Sequence, residues 1–365
     1  MSGRTKMLVL LGLAAVILAT VATTAIAQST QRTSKGLIFI FMPSSSNNAL
    51  AQWQRGAKAE AKKQGYDLKI VENNFDQNQQ NVQVQQQLAS GQKPTAYVWW
   101  PADGKAGLAA ERQLSRTGVP LVMSNQFPVK GTENLITAYS GVSDVFNGKV
   151  AAQNLIASRK ALLASGAKLH SKGGNVIVIG FVPGYQAGID RLVGFKEGIT
   201  NKGFRTLAVQ AVGFDAASGF KVGQQIIAAN KAQGIDFVYT MNDALAVGVI
   251  QALEAQGLKP GKNVMVVSAT CHGDVSNLVN GKEFATGIQP INFEGQLTIN
   301  TIARYFQYGK KVLPGSEFTP ADPNKPPVLT GPPHKNTFTP NPAVLAKDFK
   351  TTKLWGQTFR SICTY

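Results

Sequence analysis

Side chains suited to hydrogen bonding and to ring stacking follow the short apolar runs of this sequence. They are Asn47, Trp100, Asn125, Gln126, Tyr185, Phe214, Asn242 and Thr270. Side-chain amides both donate and accept hydrogen bonds, as hydroxyl groups do, and flat aromatic faces suit the apolar face of a sugar ring. This composition favours a site for a small polar ligand. The alternative is that these residues only close turns and cap helices.

The same loops lack the residue sets that catalysis or metal binding requires. They contain no Ser/His/Asp set and no HExxH motif, and the GFVPGYQAG segment lacks the glycine order of a phosphate-binding loop. His170, His272 and His334 are isolated from one another and from any cysteine cluster. We therefore predict a protein that is not an enzyme and that binds neither a metal ion nor a cofactor.

An internal repeat predicts the elements that position these side chains. Residues 53–125 and 191–270 share one plan, in which Gly56 and Gly194 stand at corresponding positions and each open a helix. The apolar runs between the helices, such as residues 175–179, suit parallel strands covered on both faces. Such alternation predicts two α/β lobes, each with a doubly wound parallel sheet. Ligands bind outside the carboxyl ends of such strands, which is where the residues named above fall.

Residues 1–27 have the features of a cleaved signal peptide. Arg4 and Lys6 precede an apolar run over residues 7–22, and Ala25-Ile26-Ala27 supplies the small-x-small pattern of a cleavage site. A single membrane anchor is the alternative, but the apolar run is short and ends in small residues. No cysteine stands there to carry a lipid. We expect a free periplasmic protein.

Composition argues against nucleic-acid binding, favours two lobes, and leaves open whether the two cysteines form a disulfide. The net charge is +17, but the basic residues are scattered without interleaved aromatic residues, so we expect no nucleic-acid binding. A chain of 365 residues exceeds what one hydrophobic core usually serves, which favours two lobes. Cys271 and Cys363 are the two cysteines. In an oxidising compartment a disulfide between them and two unpaired thiols are equally open.

Four segments carry a resemblance to a known family. They read SSSNNALAQWQRGAKAEAKKQGYDLKIV, IDRLVGFKEGI, MNDALAVGVIQALEAQG and NGKEFATGIQP. Over about residues 35–311 the chain resembles the periplasmic sugar-binding proteins of the ribose-binding type. The resemblance implies a type 1 periplasmic binding fold, whose two lobes close on a sugar or polyol and dock on an ABC-type permease, with no cofactor. A receptor that feeds a chemotaxis protein or a sensor kinase is the alternative.

The resemblance also assigns roles by position. The ligand contacts of the family fall on Asn47, Arg191, Phe214, Asn242 and Gln289. Asp243 then becomes the cap of the helix that follows Asn242. Trp100 or Tyr185 would supply a stacking surface that relatives place near Asn47. We expect Arg191→Ala and Asn242→Ala to abolish ligand binding while changing the ligand-free melting temperature little.

Two departures from the family concern ligand choice. Asn125-Gln126 stand where ribose-binding relatives have an Asp-Arg pair, and Ala269-Thr270 where many relatives have an aspartate. A hydrogen bond to a charged group contributes roughly 1.5–3 kcal/mol, more than a neutral one. The loss of both carboxylates therefore predicts a ligand other than ribose.

The resemblance implies three crossings between the lobes, near Gly141, near Gln289 and after Leu313. These crossings give a first lobe of residues 36–141 plus 290–313 and a second lobe of residues 142–289 plus 314–365. Nine of the 17 prolines lie between residues 314 and 342. Proline-rich chain disfavours helices and central strands, so we expect a strap over the second lobe, a short helix around residues 342–350, and a monomeric protein.

Overall fold

The computed structural model describes residues 34–365. The predicted signal peptide, residues 1–27, lies outside the described residues. Within residues 34–365, every helix is too short or too polar to cross a membrane.

Strands and helices alternate along most of the described chain. The strands are β1 (Leu37–Met42), β2 (Asp67–Glu72), β3 (Ala96–Trp99), β4 (Leu121–Ser124), β5 (Ala138–Val142), β6 (Asn175–Gly180), β7 (Arg205–Ala211), β8 (Phe237–Thr240), β9 (Met265–Ser268), β10 (Ala285–Gly287), β11 (Leu313–Phe318), β12 (His334–Thr339), β13 (Ala343–Leu345), β14 (Lys353–Leu354) and β15 (Gln357–Thr358). The α-helices are α1 (Asn48–Gln64), α2 (Gln77–Ala89), α3 (Leu108–Arg116), α4 (Asp144–Ala164), α5 (Gln186–Ile199), α6 (Ala216–Asn230), α7 (Asp243–Ala255), α8 (Ser276–Val279), α9 (Ile291–Gln307) and α10 (Phe359–Cys363).

Two open sheets form the two lobes, as the repeat predicts. The first sheet has seven strands in the order β11-β12-β5-β4-β3-β1-β2, and the second has six in the order β13-β10-β9-β8-β6-β7. Most neighbouring strands in each sheet pair in parallel, for example β1 with β3 and β6 with β8. Most inner strands are buried because helices cover both faces, whereas β2 and β7 lie at sheet edges and are partly exposed. The predicted α/β class and doubly wound parallel topology are confirmed.

The glycines at the start of the repeat have a different role from the predicted one. Gly56 and Gly194 lie inside α1 and α5 and do not open them. A Cβ atom on Gly56 would lie 1.9 Å from the carbonyl oxygen of Asn292 in α9, and one on Gly194 would lie 1.9 Å from the carbonyl oxygen of Val145 in α4. Glycine is therefore required because two helix backbones cross in contact at each position.

The proline-rich segment joins the first lobe, which corrects the expected boundary at residue 313. β12 pairs in parallel with β5, and β11 pairs with β12 at the sheet edge. The run that forms β12 contains no proline, and Pro314 lies in β11, where an edge strand tolerates it. The third crossing between lobes therefore lies at residues 340–342. The proline-rich segment also contacts the second lobe, because the carbonyl oxygens of Pro320 and Asp322 accept hydrogen bonds from Trp355.

Residues 343–365 return to the second lobe and build a small core there. β13 pairs antiparallel with β10, and α10 is the helix of this segment, so the helix expected around residues 342–350 is wrong. Phe349, Trp355 and Ile362 pack in one buried cluster with the two cysteines. A disulfide joins Cys271 to Cys363, which settles the question that the sequence left open.

Candidate functional site

The carboxyl ends of the two sheets face one cavity of about 870 Å³. Eight of the ten predicted site residues line it. They are Asn47, Trp100, Asn125, Tyr185, Arg191, Phe214, Asn242 and Gln289. The two lobes thus bring together residues that are far apart in the sequence, and the cavity is of the size that small-molecule sites usually have.

Two asparagines line the cavity and also cap helices. The Oδ1 atom of Asn47 accepts a hydrogen bond from the N–H of Ala49 at 3.0 Å, and that of Asn242 accepts one from the N–H of Leu245 at 2.8 Å. Asn242 is therefore the cap of α7, whereas Asp243 was expected to be. Asp243 is the first residue of the helix, and its buried carboxylate accepts a hydrogen bond from Thr286 Oγ1 at 2.5 Å.

Arg191 on α5 is the buried guanidinium that lines the cavity. Its Nε donates to Asp144 Oδ1 at 2.7 Å, and its Nη2 donates to Gln289 Oε1 at 2.9 Å. The guanidinium also lies 5.0 Å from the ring centre of Phe181. Burial raises the pKa of Asp144, although the charge of Arg191 and its hydrogen bond act in the opposite direction.

This environment corrects the expectation that Arg191→Ala leaves stability unchanged. Arg191 is 2% exposed, and its removal would leave Asp144 buried without its cationic partner. Breaking a buried ion pair in this way is strongly destabilising. The cap made by Asn242 likewise contributes roughly 0.5–2 kcal/mol of stability.

Two predicted residues, Gln126 and Thr270, do not line the cavity. Gln126 is buried between the lobes, where its Nε2 donates to the carbonyl oxygen of Pro101 and its Oε1 accepts from the N–H of Gln186 at 2.6 Å. Thr270 is buried behind Arg191, and its Oγ1 accepts from Nη1 of that residue at 2.9 Å. The polar atoms of both side chains are hydrogen-bonded to other protein groups. We therefore expect the two residues to hold the cavity walls in place and not to contact a ligand.

Asn125 lies in a polar chain that crosses from one lobe to the other. Trp100 Nε1 donates to the hydroxyl of Tyr185 at 3.1 Å, and this hydroxyl donates to Asn125 Oδ1 at 3.3 Å. Asn125 Nδ2 donates to Glu294 Oε2 at 2.9 Å. Burial raises the pKa of Glu294 to about 7, with the hydrogen bond from Asn125 acting against it. The chain holds the lobes together at the back of the cavity.

An aromatic pair closes the front of the cavity. Phe75 of the first lobe stacks on Phe214 of the second, with ring centres 4.8 Å apart and an angle of 28° between the rings. We did not predict Phe75, but the repeat contains the signal for it. Phe75-Asp76 and Phe214-Asp215 are the same dipeptide at equivalent positions of the two copies.

Sequence reasoning also missed a contact made by residues near the disulfide. The hydroxyl of Tyr365 lies 2.8 Å from His272 Nδ1, and His272 Nε2 lies 3.1 Å from Gln289 Oε1. Burial and the nearby charge of Arg191 lower the pKa of His272 to about 3, so its ring is neutral. Because Gln289 Oε1 can only accept, Nε2 carries the proton and Nδ1 accepts from Tyr365.

Within residues 34–365, no group of three or more His, Cys, Asp or Glu side chains has an arrangement that could hold a metal ion. The polar groups of the cavity include amides, hydroxyls, an imidazole, a guanidinium and the carboxylates of Asp215 and Asp274. Both carboxylates accept hydrogen bonds from backbone N–H groups nearby in the chain, and the set as a whole suits hydrogen bonding to a polyhydroxy molecule.

Comparison with known proteins assigns the family. The model of the periplasmic binding protein domain matches residues 38–311. The chain belongs to this family. It is a ribose-binding-protein-like member with the type 1 periplasmic binding fold, as the resemblance implied.

Relatives and solved structures agree with this membership. The ribose import binding protein RbsB of Escherichia coli is 25% identical over 283 residues, which are 78% of this chain and 86% of that protein. The galactofuranose-binding protein YtfQ of the same organism is 28% identical over 58% of this chain and 64% of its own length. An arabinose-binding component from Shewanella sp. ANA-3 has the same fold, with a TM-score of 0.68 and 20% identity over 85% of this chain and 92% of its own.

Proposed function

We propose that this protein captures a sugar or polyol between its lobes and delivers it to an ABC importer. It would act as a monomer in the periplasm after cleavage of residues 1–27. The observation that carries the proposal is the convergence of amide, guanidinium and aromatic side chains from both lobes on one cavity. RbsB is a ribose import binding protein, YtfQ binds galactofuranose, and the Shewanella protein is a component of an arabinose ABC transporter, which supports the same role here.

Arg191 is the group we expect to recognise a ligand hydroxyl. The guanidinium has five N–H donors, and its hydrogen bonds to Asp144, Met241, Thr270 and Gln289 use four of them. One N–H of Nη2 remains for a ligand. Its direction is fixed by the others, so the donor is ordered before the ligand arrives and little entropy is lost on binding.

Lobe closure follows from the same contacts. A ligand that touches both lobes finds all its partners only when the lobes are together, so binding shifts the population toward the closed form. The rim contact between Phe75 and Phe214 and the buried contact between Trp100 and Tyr185 both join the two lobes, as this closed arrangement requires. An importer that docks on the closed surface would distinguish loaded from empty protein.

A thermal-shift screen of the protein lacking residues 1–27 tests the proposal. The panel contains ribose, arabinose, galactose, allose, myo-inositol and glycerol, with amino acids as the counter-set. A ligand at 100 times its dissociation constant stabilises the fold by about 2.7 kcal/mol. We expect a clear rise in melting temperature with at least one sugar or polyol and none with amino acids.

Arg191→Lys is the matching site variant, with Arg205→Lys as its control. Lysine keeps the charge beside Asp144 but loses the forked geometry, so we expect affinity to fall by about tenfold to a hundredfold. Arg205 is an exposed residue of the same lobe whose Nη2 contacts Gln233, and its substitution should leave affinity unchanged. A response to amino acids alone, or equal affinity in Arg191→Lys, would count against the proposal.

A further inference from the structure

The main cavity has a neighbour of about 420 Å³ on the side of the disulfide. Two residues, Ile291 and Tyr365, line both cavities. The other polar residues of the second cavity are Gln52, Arg55, Asn292, Gln357, Ser361 and Thr364. These amide, hydroxyl and guanidinium groups are of the same chemical kinds as those in the main cavity. A ligand longer than one sugar ring would therefore find hydrogen-bonding partners there if the wall between the cavities were absent.

Tyr365 is held in this wall from three sides. It lies shortly beyond Cys363, whose disulfide to Cys271 ties the segment to the loop that follows β9. The carbonyl oxygen of Cys363 also accepts a hydrogen bond from the N–H of Gly273 at 2.8 Å. The Tyr365 hydroxyl is bonded to His272, and its ring packs against the core of the first lobe. The residue thus spans from the second lobe to the first.

The segment that carries this wall lies outside the part of the chain that matches the family, because the match ends at residue 311. The residues carried over from the family, among them Gln289, all precede residue 311 and do not include Tyr365. Of the two residues shared by both cavities, Ile291 lies within the family match, whereas Tyr365 is supplied by residues 343–365 and the family resemblance does not predict it.

We propose that Tyr365, tethered by the Cys271–Cys363 disulfide, is a specificity-determining residue that separates the two cavities and limits the ligand to a single sugar or polyol ring. This inference rests on the proposed function. Through its hydroxyl Tyr365 also holds His272 with Nε2–H toward Gln289, and so it orients two groups of the main cavity. Its ring sets the size of the ligand, and its hydroxyl orders the polar wall.

Titration calorimetry with single-ring and two-ring probes tests this inference. The single-ring probes are ribose, arabinose, galactose and myo-inositol, and the two-ring probes are lactose, melibiose and maltose. We expect the wild-type protein to bind a single-ring probe and none of the disaccharides. In Tyr365→Ala the two cavities merge, and we expect the affinity for a disaccharide relative to the single-ring probe to rise by about tenfold or more, as two added hydrogen bonds would produce.

Two further variants separate the ring, the hydroxyl and the tether, and a third serves as a control. Tyr365→Phe keeps the ring, so it should keep the size limit while weakening binding of the single-ring probe. Cys271→Ser combined with Cys363→Ser releases the tether and should relax the size limit as Tyr365→Ala does. Tyr308→Ala removes an exposed tyrosine at the C-terminal end of α9 and should leave the selectivity unchanged. A thermal melt of each variant confirms that it is folded.

The outcomes are distinguishable. Wild-type protein that binds a single-ring probe, together with Tyr365→Ala of unchanged selectivity, overturns the partition and leaves the proposed function standing. Wild-type binding of a disaccharide overturns the partition as well. A size limit that survives in the double cysteine variant overturns the role of the tether. Wild-type protein that binds no member of the panel overturns the proposed function and this inference together.

Discussion

Glu294 is a buried acid at the base of the polar chain between the lobes. Its Oε2 accepts a hydrogen bond from Asn125, and Asp144 and Arg191 are the charged groups that act on it. Burial raises its pKa to about 7 from an ordinary value of 4.5, although hydrogen bonds from Asn125 and Gln289 act in the opposite direction. The native state therefore holds a proton on this group at pH values at which the unfolded chain has lost it.

This shift predicts a stability that falls as pH rises. Protonated Glu294 favours the folded state fully below pH 4.5, and the advantage is lost as pH rises toward and through about 7. Glu294→Gln keeps the shape of the side chain without the ionisation. We expect its free energy of unfolding, from urea titrations between about pH 5 and 8, to decline less steeply than that of the wild type.

The control for this experiment is a buried acid elsewhere in the first lobe. Burial also raises the pKa of Glu111 to about 7, so Glu111→Gln should flatten the stability profile too, but without changing the pH dependence of ligand affinity. Glu294→Gln should change both profiles, because Glu294 holds Asn125 in the cavity wall. Parallel stability profiles for wild type and Glu294→Gln would contradict the shift at this residue.

The disulfide links the elements of residues 343–365 covalently to the second lobe. The bond joins cysteines that are 92 residues apart, and closing a loop of that length stabilises the folded state by about 4–5 kcal/mol in the chain-entropy model. Replacing both cysteines by serine should lower the free energy of unfolding by up to that amount. Urea titration of both proteins measures the difference.

Reduction supplies the matched control for the cysteine variant. Dithiothreitol should lower the urea midpoint of the wild type toward that of the double serine variant, and it should leave the variant unchanged. A wild-type midpoint that does not respond to complete reduction, verified by thiol titration, would show that the small core around Phe349 and Trp355 holds the segment without the bond.

The closed arrangement of the molecule is favoured by the stacked pair of Phe75 and Phe214. Such a pair contributes about 0.5–1.5 kcal/mol beyond the area it buries. Phe75→Ala removes the contact across the rim and should therefore lower ligand affinity by about twofold to tenfold. Small-angle scattering should show a larger radius of gyration for the ligand-free variant than for the ligand-free wild type.

Val82→Ala is the control for this change, because Val82 is an exposed residue on an outer helix of the same lobe. It should change neither affinity nor radius of gyration. If Phe75→Ala binds its ligand with wild-type affinity and has the same ligand-free radius, the rim stack has no role in closure.

Local patterns along the chain are enough to predict the two-lobed α/β fold and most of the site. Apolar runs, helix lengths and the repeat place Asn47, Asn242 and Phe214 after strand ends, and this placement requires no knowledge of the tertiary structure. Arg191 and Gln289 came from the family resemblance, which is also carried by local motifs. Eight of the ten expected site residues consequently line the cavity.

The remaining features depend on distant pairing and on side-chain direction, which become visible in the folded molecule. Gln126 and Thr270 stand in the expected loops but turn into the protein, because buried polar groups there require partners. β12 pairs with β5 although the residues of the second lobe lie between the two strands in the sequence. Tyr365 contacts His272 although 93 positions separate the two residues in the sequence. No local pattern encodes such contacts, since they form only when packing of the completed lobes brings the two segments together.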